Sequence, residues 1–272
     1  MSQDDAVIRP YDHDADNKLV RFMVAKSTME PLAIANRKAI LHPLTITIWV
    51  ALSSVAVQLL GWWPDAQYGV WGYLRPLPAF AALFLPFIFS IDWYQRPQFD
   101  ANSVETLKRP DMNDIKEYYG RSPSSGLWIY EYGNNFVGLI AVDASVDSLS
   151  EETLSSPSQR VERQGKGKER GSSGSSTGDS TIAVVRHLYV AEQYRIADAQ
   201  DDLISFALER VFGTSSSVER IRIIPSPLIT YLGPSLRKAG FEVIGQGDQI
   251  GVLKWSTLIF ELTRGKWENP AS

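Results

Sequence analysis

The side chains in this sequence that could perform acid–base or nucleophilic chemistry are few. Among 272 residues there is no cysteine, and the histidines are His13, His42 and His187. Without thiols there is no thiolate nucleophile, disulfide framework or cysteine zinc site, and three scattered histidines do not make a metal cage, so no metal site is expected. His187 lies in a β-rich run, Ile182-Ala-Val-Val-Arg-His-Leu-Tyr-Val190, where alternation places it on one face with Val185 and Tyr189. An imidazole titrates near neutrality, which makes His187 a candidate general base; Glu131, in Leu127-Trp-Ile-Tyr-Glu-Tyr132, is the other. A polar turn, Gln193-Tyr-Arg-Ile-Ala-Asp198, follows the His187 strand and leads into an apolar-periodic helix from Ala199 to Phe212. A strand whose loop feeds a helix N-terminus is a standard phosphate cradle, because the first helical turn presents unpaired N–H groups and partial positive charge.

Composition narrows the partners. The net charge of −4 and pI near 5.5 supply no basic excess for duplex phosphates, so nucleic acid is not an expected partner. The first residues, Met1-Ser-Gln-Asp-Asp5, are acidic and lack the charged-then-apolar pattern of a cleaved leader.

The elements that must hold these side chains begin with a short strand, Val7-Ile-Arg-Pro10. An acidic turn follows in which Asp12 or Asp14 could cap an amphipathic helix of three or four turns starting near Asp16. Residues 40–63 are then almost wholly apolar or small, about the ~20 needed to cross a bilayer core. A second apolar block, residues 77–94, carries Pro78 and Pro86 and must kink if helical. Trp62, Trp63, Tyr68, Trp71, Tyr73, Trp93 and Tyr94 lie at the block edges, where half-wet rings favour the membrane interface. These features predict a transmembrane helical hairpin, with membrane lipid as the partner of residues 40–95. Lys26, Arg37 and Lys38 precede it and Arg96, Lys108 and Arg109 follow it, whereas the connector is almost free of base; both flanks are therefore expected to be cytosolic, with Arg75 snorkelling to the interface.

Beyond the hairpin, Asp111 is expected to cap a short helix through Tyr119. Leu127–Tyr132 and Asn135-Phe-Val-Gly-Leu-Ile-Ala-Val-Asp143 read as two strands joined at Gly133-Asn134. Residues 147–180 collapse into Ser, Gly, Lys, Glu and Arg and read as a disordered loop. A further strand, Arg220-Ile-Arg-Ile-Ile224, a helix ending in Leu236-Arg-Lys-Ala-Gly240-Phe241, a Gly-Gln-Gly-Asp turn and a closing antiparallel pair complete the chain.

This order of elements, with the Val-x-x-Gln-x-Arg turn and the terminal Lys-Ala-Gly-Phe, resembles the GNAT superfamily of N-acetyltransferases. The apolar hairpin after the first helix is similar to that of membrane-anchored members related to the cysteine-conjugate acetyltransferases of the endoplasmic reticulum. The resemblance implies an α+β fold: a GNAT-like mixed, mostly antiparallel sheet flanked by helices, with an inserted transmembrane helical hairpin. Its segments are residues 1–39 (first strand and helix), 40–95 (hairpin), 96–146 (helix and strand pair), 147–180 (loop) and 181–272 (coenzyme A-binding core). It implies acetyl-CoA as cosubstrate, an amine-bearing small molecule or peptide as acceptor, and an endoplasmic reticulum or other endomembrane location with the soluble part cytosolic. The cofactor would meet Leu188, Tyr189, Val190, Gln193, Tyr194, Arg195, Ile196, Ala197 and Asp198, and Tyr231 would be the proton donor beside His187 or Glu131 as base. Ile196 and Asp198 stand where the family has glycine and a second small residue. If the turn needs positive φ, isoleucine costs about 1–2 kcal/mol there. Asp198 is well suited to cap the helix, with Asp201 and Asp202 in its first turn. Two readings follow: an acetyltransferase, or a GNAT fold retained as a catalytically degenerate, membrane-tethered interaction or regulatory protein.

Overall fold

A computed structural model describes residues 6–65, 67, 69–149, 178–251 and 253–269. Most of the segment read as a disordered loop, together with Tyr68, lies outside the described residues. The strands are β1 Ala6–Pro10, β2 Gly126–Tyr132, β3 Asn135–Ser145, β4 Asp179–Val190, β5 Arg220–Ile223, β6 Glu242–Ile250 and β7 Trp255–Thr263. The helices are α1 His13–Ile40, α2 Pro43–Leu60, α3 Val70–Tyr73, α4 Leu77–Leu107, α5 Pro110–Asn113 and α6 Ile115–Tyr119, then α7 Ala199–Thr214, α8 Leu232–Lys238 and α9 Arg264–Glu268. They fall into two units: one from the chain before residue 30 and after residue 100, the other from residues 30–100 with Gly251 and Leu253.

The first unit is built on one seven-stranded sheet in the order β1-β2-β3-β4-β5-β7-β6. Every neighbouring pair is antiparallel except β4 with β5. β1, which precedes the apolar blocks, pairs with β2, which follows them, from Ala6↔Tyr132 to Pro10↔Trp128. This is the expected α+β, mostly antiparallel architecture with flanking helices.

Each face of the sheet closes differently. On one, Leu203, Ile204, Ala207, Val211 and Phe212 of α7 and Leu232 and Leu236 of α8 bury against Ile140, Val142, Val185, Ile221 and Ile223. On the other, Val20 and Val24 of α1, Met112 of α5 and Ile115, Tyr118 and Tyr119 of α6 bury against Ile129, Leu139, Ala141 and Tyr189. Gly138 is required where β3, β4 and α7 meet, since a Cβ there would lie 2.6 Å from the Tyr189 carbonyl oxygen and 2.9 Å from Leu203 Cδ1. The Lys-Ala-Gly-Phe stretch forms a Schellman cap. Gly240, at φ 91°, donates to Arg237 O at 3.0 Å and Phe241 donates to Leu236 O at 2.9 Å, while the Phe241 ring buries beside Leu236.

Four local expectations need correction. α1 is 28 residues long rather than three or four turns, continuing through Pro31; Asp12 caps it by accepting from the Asp14 N–H at 3.1 Å. The helix expected from Asp111 is two short helices, split where Asp114 caps α6 by accepting from the Glu117 N–H at 3.0 Å. The Gly-Gln-Gly-Asp stretch is not a turn but part of β6, with register shifts that its glycines allow; the chain reverses instead after Ile250, where Gly251 and Lys254 take φ of 76° and 52°. Asp198 does not cap α7, as described below.

In the second unit α2 ends in its own Schellman motif. Gly61, at φ 64°, donates to Gln58 O at 3.3 Å and Trp62 donates to Val57 O at 3.0 Å. Arg75, expected to snorkel, donates to the Gly61 carbonyl at 3.4 Å. Asn36 Nδ2 donates to Asp92 at 2.6 Å and Gln95 Nε2 to Asn36 Oδ1 at 2.9 Å, so α1 and α4 are joined by amides and a carboxylate. α4 is continuous through Pro86 and Pro97. Residues 43–60 and the stretch from Val70 to Leu107 are each long and apolar enough to cross a membrane. In each, an 18-residue window has mean hydropathy 1.7, and 11% and 6% of those windows are buried.

Candidate functional site

The expected cofactor residues converge on β4 because of how that strand is paired. β4 follows β3 from Ser145↔Asp179 to Gly138↔Val190, but pairs with β5 only over residues 182–185. Past Val185 it runs on with no β5 partner among the described residues. The departure coincides with a bulge: Ala141 pairs with His187 and Val142 with Val185, leaving Arg186 as the extra residue. The bulge corrects the face expected from simple alternation. Val185 packs toward α7, whereas His187 and Tyr189 turn to the face of α1, α5 and α6.

At the end of β4 the Ala191 N–H donates to Val137 O of β3 at 2.8 Å. In a trans peptide the Val190 carbonyl must then point away from β3, toward the gap where β5 has ended. That oxygen accepts from Arg195 Nε at 2.9 Å. The Arg195 guanidinium carbon also lies 4.1 Å from the centroid of the Tyr231 ring and 5.8 Å from that of Tyr189. Val190, Arg195, Tyr189 and Tyr231 are therefore one local group.

Arg195 reaches back because residues Glu192–Ala197 wind as a 3₁₀ helix. The Tyr194 N–H donates to Ala191 O at 2.9 Å and the Asp198 N–H to Arg195 O at 3.2 Å. Ile196 escapes the strain considered above: the positive φ, 55°, falls on Asp198, and the Ile196 side chain is 93% exposed. Aspartate tolerates the left-handed region better than a β-branched residue does. In that conformation the Asp198 carboxylate makes no capping bond to α7 and accepts from Gln200 Nε2 at 3.2 Å instead. The first turn of α7 is acidic but engaged outward: Asp201 pairs with Lys238 at 2.6 Å and Asp202 accepts from the Tyr130 hydroxyl at 2.9 Å. Burial first, and then that hydrogen bond, pushes the Tyr130 phenol up to about 12. Gln193, Ala197 and Asp198 are exposed, Tyr194 is half-buried against the apolar core, and so is Leu188.

The two candidate bases are held separately. Glu131 receives both arms of Arg9, at 2.9 and 2.7 Å, and Arg9 also grips the buried Asp16 at 2.6 and 2.8 Å. The Arg9 hydrogen bond holds the Asp16 carboxyl below its usual range despite burial. Buried His187 meets Asp111 Oδ2 through Nε2 at 2.7 Å, and the Tyr119 hydroxyl donates to the same oxygen at 3.3 Å. Burial would push Asp111 up, but the hydrogen bond with His187, with Arg186 and Arg109 nearby, brings it below the ordinary value. Next to this pair, Arg186 donates to Asp143 at 2.9 Å and to Ser148 O at 2.7 Å, and the Tyr118 hydroxyl donates to Asp143 at 2.7 Å. Asp111 was legible only as a helix cap, since nothing in sequence ties it to a histidine 76 positions away. Arg186 had a signal, a charge inside an apolar strand.

No family model matches the chain, and no curated protein matches it. Among solved structures it is similar to yncA from Salmonella typhimurium, solved with its cofactor acetyl-CoA: 10% identity, 95% of this chain and 94% of that one covered, TM-score 0.41. A GNAT-family acetyltransferase from Streptococcus pneumoniae has 10% identity, 56% and 74% coverage and a TM-score of 0.39. Mutant forms of the spermidine/spermine N-acetyltransferase SpeG from Vibrio cholerae have 12% identity, 59% and 78% coverage and a TM-score of 0.38. These likenesses concern the course of the chain and not its chemistry.

Proposed function

We propose that this chain is a membrane-anchored N-acetyltransferase of the GNAT type, moving acetyl from acetyl-CoA to the amine of a small molecule or peptide. The observation that supports it is the parting of β4 from β5 after Val185, which leaves residues 186–190 without a β5 partner among the described residues, beside the turn leading into α7. An extended thioester arm fits such a strand, since its amides pair with backbone groups as a further strand would. In this reading the arm follows Leu188, Tyr189 and Val190, and the diphosphate meets the turn at Gln193, Tyr194, Arg195, Ile196, Ala197 and Asp198. The amine nitrogen bonds to the thioester carbon and the C–S bond breaks; the ammonium proton passes to His187, positioned by Asp111, and the departing thiolate takes a proton from Tyr231. Glu131 is the alternative base, once released from Arg9.

The same proposal gives residues 40–95 to the membrane. Leu59, Trp71 and Leu85 are 81%, 78% and 73% exposed, a state that lipid covers at no cost. The basic flanks favour a cytosolic soluble part, and the endoplasmic reticulum or another endomembrane is the location that the family resemblance implies. A second reading, a catalytically degenerate GNAT fold serving as a tethered interaction or regulatory protein, is favoured by one observation: the turn closes on itself and Arg195 already occupies the Val190 carbonyl.

Calorimetric titration of the detergent-solubilised full chain with acetyl-CoA decides between them. Micromolar binding is expected; no binding at millimolar concentration overturns the enzyme reading in favour of the second. For the anchor, the full chain is expected to float with liposomes after an alkaline carbonate wash, and recovery in the soluble fraction would refute it.

A further inference from the structure

We propose that Arg195 is a latch on the thioester-arm site, closed on the Val190 carbonyl and drawn off it by the diphosphate of the incoming ligand. This rests on the acetyltransferase reading. The carbonyl at issue points into the gap between β4 and β5, the position where an arm lying along β4 must place an N–H. Arg195 fills that requirement from within the chain through Nε at 2.9 Å, and its guanidinium is backed by the Tyr231 ring at 4.1 Å. An arginine that is both hydrogen-bonded and stacked is held on two sides, and an uncharged arm has nothing to offer it in exchange.

A diphosphate does. Arg195 is the single basic residue between Val190 and Arg210, in a stretch that also contains Glu192, Asp198, Asp201 and Asp202. Within that stretch Arg195 is the one cationic side chain a ligand anion can meet, and a planar guanidinium binds phosphate oxygens in pairs. Moving Arg195 from carbonyl to phosphate opens the arm site in the same step, so the nucleotide end of the ligand licenses binding of the other end. The ligand class selected is an anionic thioester carrying a diphosphate; a bare pantetheine thioester is excluded.

The test compares coenzyme A with pantetheine, which has the arm but no diphosphate, by calorimetry on the full chain in detergent. For the unaltered protein, coenzyme A binds and pantetheine binding is not detected. Arg195→Ala is expected to produce a crossing pattern: pantetheine binding rises about tenfold or more as the carbonyl is freed, while coenzyme A binding falls about tenfold. Arg195→Lys keeps the charge but cannot offer the same stacked Nε donor, so it should gain pantetheine binding and retain most coenzyme A affinity; it also decides the matter should the alanine variant fail to fold. Weakening of both ligands would mean that Arg195 merely supports the turn, and loss of coenzyme A with pantetheine unchanged would mean a simple phosphate contact; either overturns the latch while leaving the acetyltransferase reading intact. Absence of coenzyme A binding in the unaltered protein and both variants removes the underlying reading and the latch with it.

Discussion

The two faces of the sheet are closed by different physics. Against α7 and α8 the contact is hydrocarbon almost throughout, from Leu203 and Val211 to Leu236 and Phe241. Against α1, α5 and α6 a smaller apolar cluster is interleaved with buried or half-buried ions: Arg9 with Asp16 and Glu131, Asp111 with His187, and Arg186 with Asp143. Hydrocarbon contact is non-directional and rewards any close fit. A buried ion pair is stable only in one geometry, and removal of one partner strands the other. The apolar face therefore carries stability, whereas the charged face specifies which strands and helices meet and aims particular side chains.

The charged face is most sensitive at Asp143, which is fully buried and shared by Arg186 and Tyr118. Asp143→Ala takes the buried carboxylate away from both Arg186 and Tyr118 and is expected to cost about 3–5 kcal/mol, read as a lowered denaturant midpoint of the detergent-solubilised chain. Replacing both partners, Asp143→Leu with Arg186→Met, should recover much of that loss; equal loss in the double variant would contradict the role given to the charges. On the apolar face Leu203→Ala should cost about 3 kcal/mol by cavity formation, with no change in the pH dependence of stability.

Arg9→Ala is next, at about 2 kcal/mol, because the clamp is only partly screened from water. Its signature is local: the amides of β1 should exchange faster with deuterium than those of β3, and uniform acceleration across the sheet would count against it. The pH response bears on the charged face as well. Asp16 and Asp111 are held below the ordinary carboxylate value in the folded chain, so their contribution is present above about pH 4 and is lost as pH falls through their folded values. The thermal midpoint should fall on acidification below about pH 4, and Asp16→Asn should flatten that limb; an unchanged limb refutes the assignment. The smallest effect is at Asp198, whose φ of 55° suits glycine better. Asp198→Gly should leave stability unchanged or raise it by up to about 1 kcal/mol, and a loss of more than that would show that its contact with Gln200 matters more than the backbone.

Local chemistry made much of this fold legible before any coordinates. The Gly133-Asn134 turn, the Gly240-Phe241 cap and the period of α7 depend on residues within a few positions of one another, and each is found where its local pattern put it. Errors arose where glycine or aspartate allowed more than one local outcome: Gly245 and Gly247 sit in bulged β6, Asp198 takes a left-handed backbone instead of capping, and Asp111 turns to His187 instead of closing a helix end. In the candidate site, the residues around Val190 were readable from their order along the chain. The Arg195 contact was not, because it depends on the turn winding as a 3₁₀ helix.

Local pattern alone laid out the order of the strands and main helices, the two long apolar helices and the placement of Gln193–Asp198 between a strand and a helix, since periodicity and turn chemistry act over a few residues. It took the folded sheet to turn His187 toward Asp111 through the Arg186 bulge in β4 and to give Glu131 to Arg9. Those outcomes depend on which groups meet across the sheet, and partners 76 or 122 residues apart leave no periodic trace in the chain that joins them.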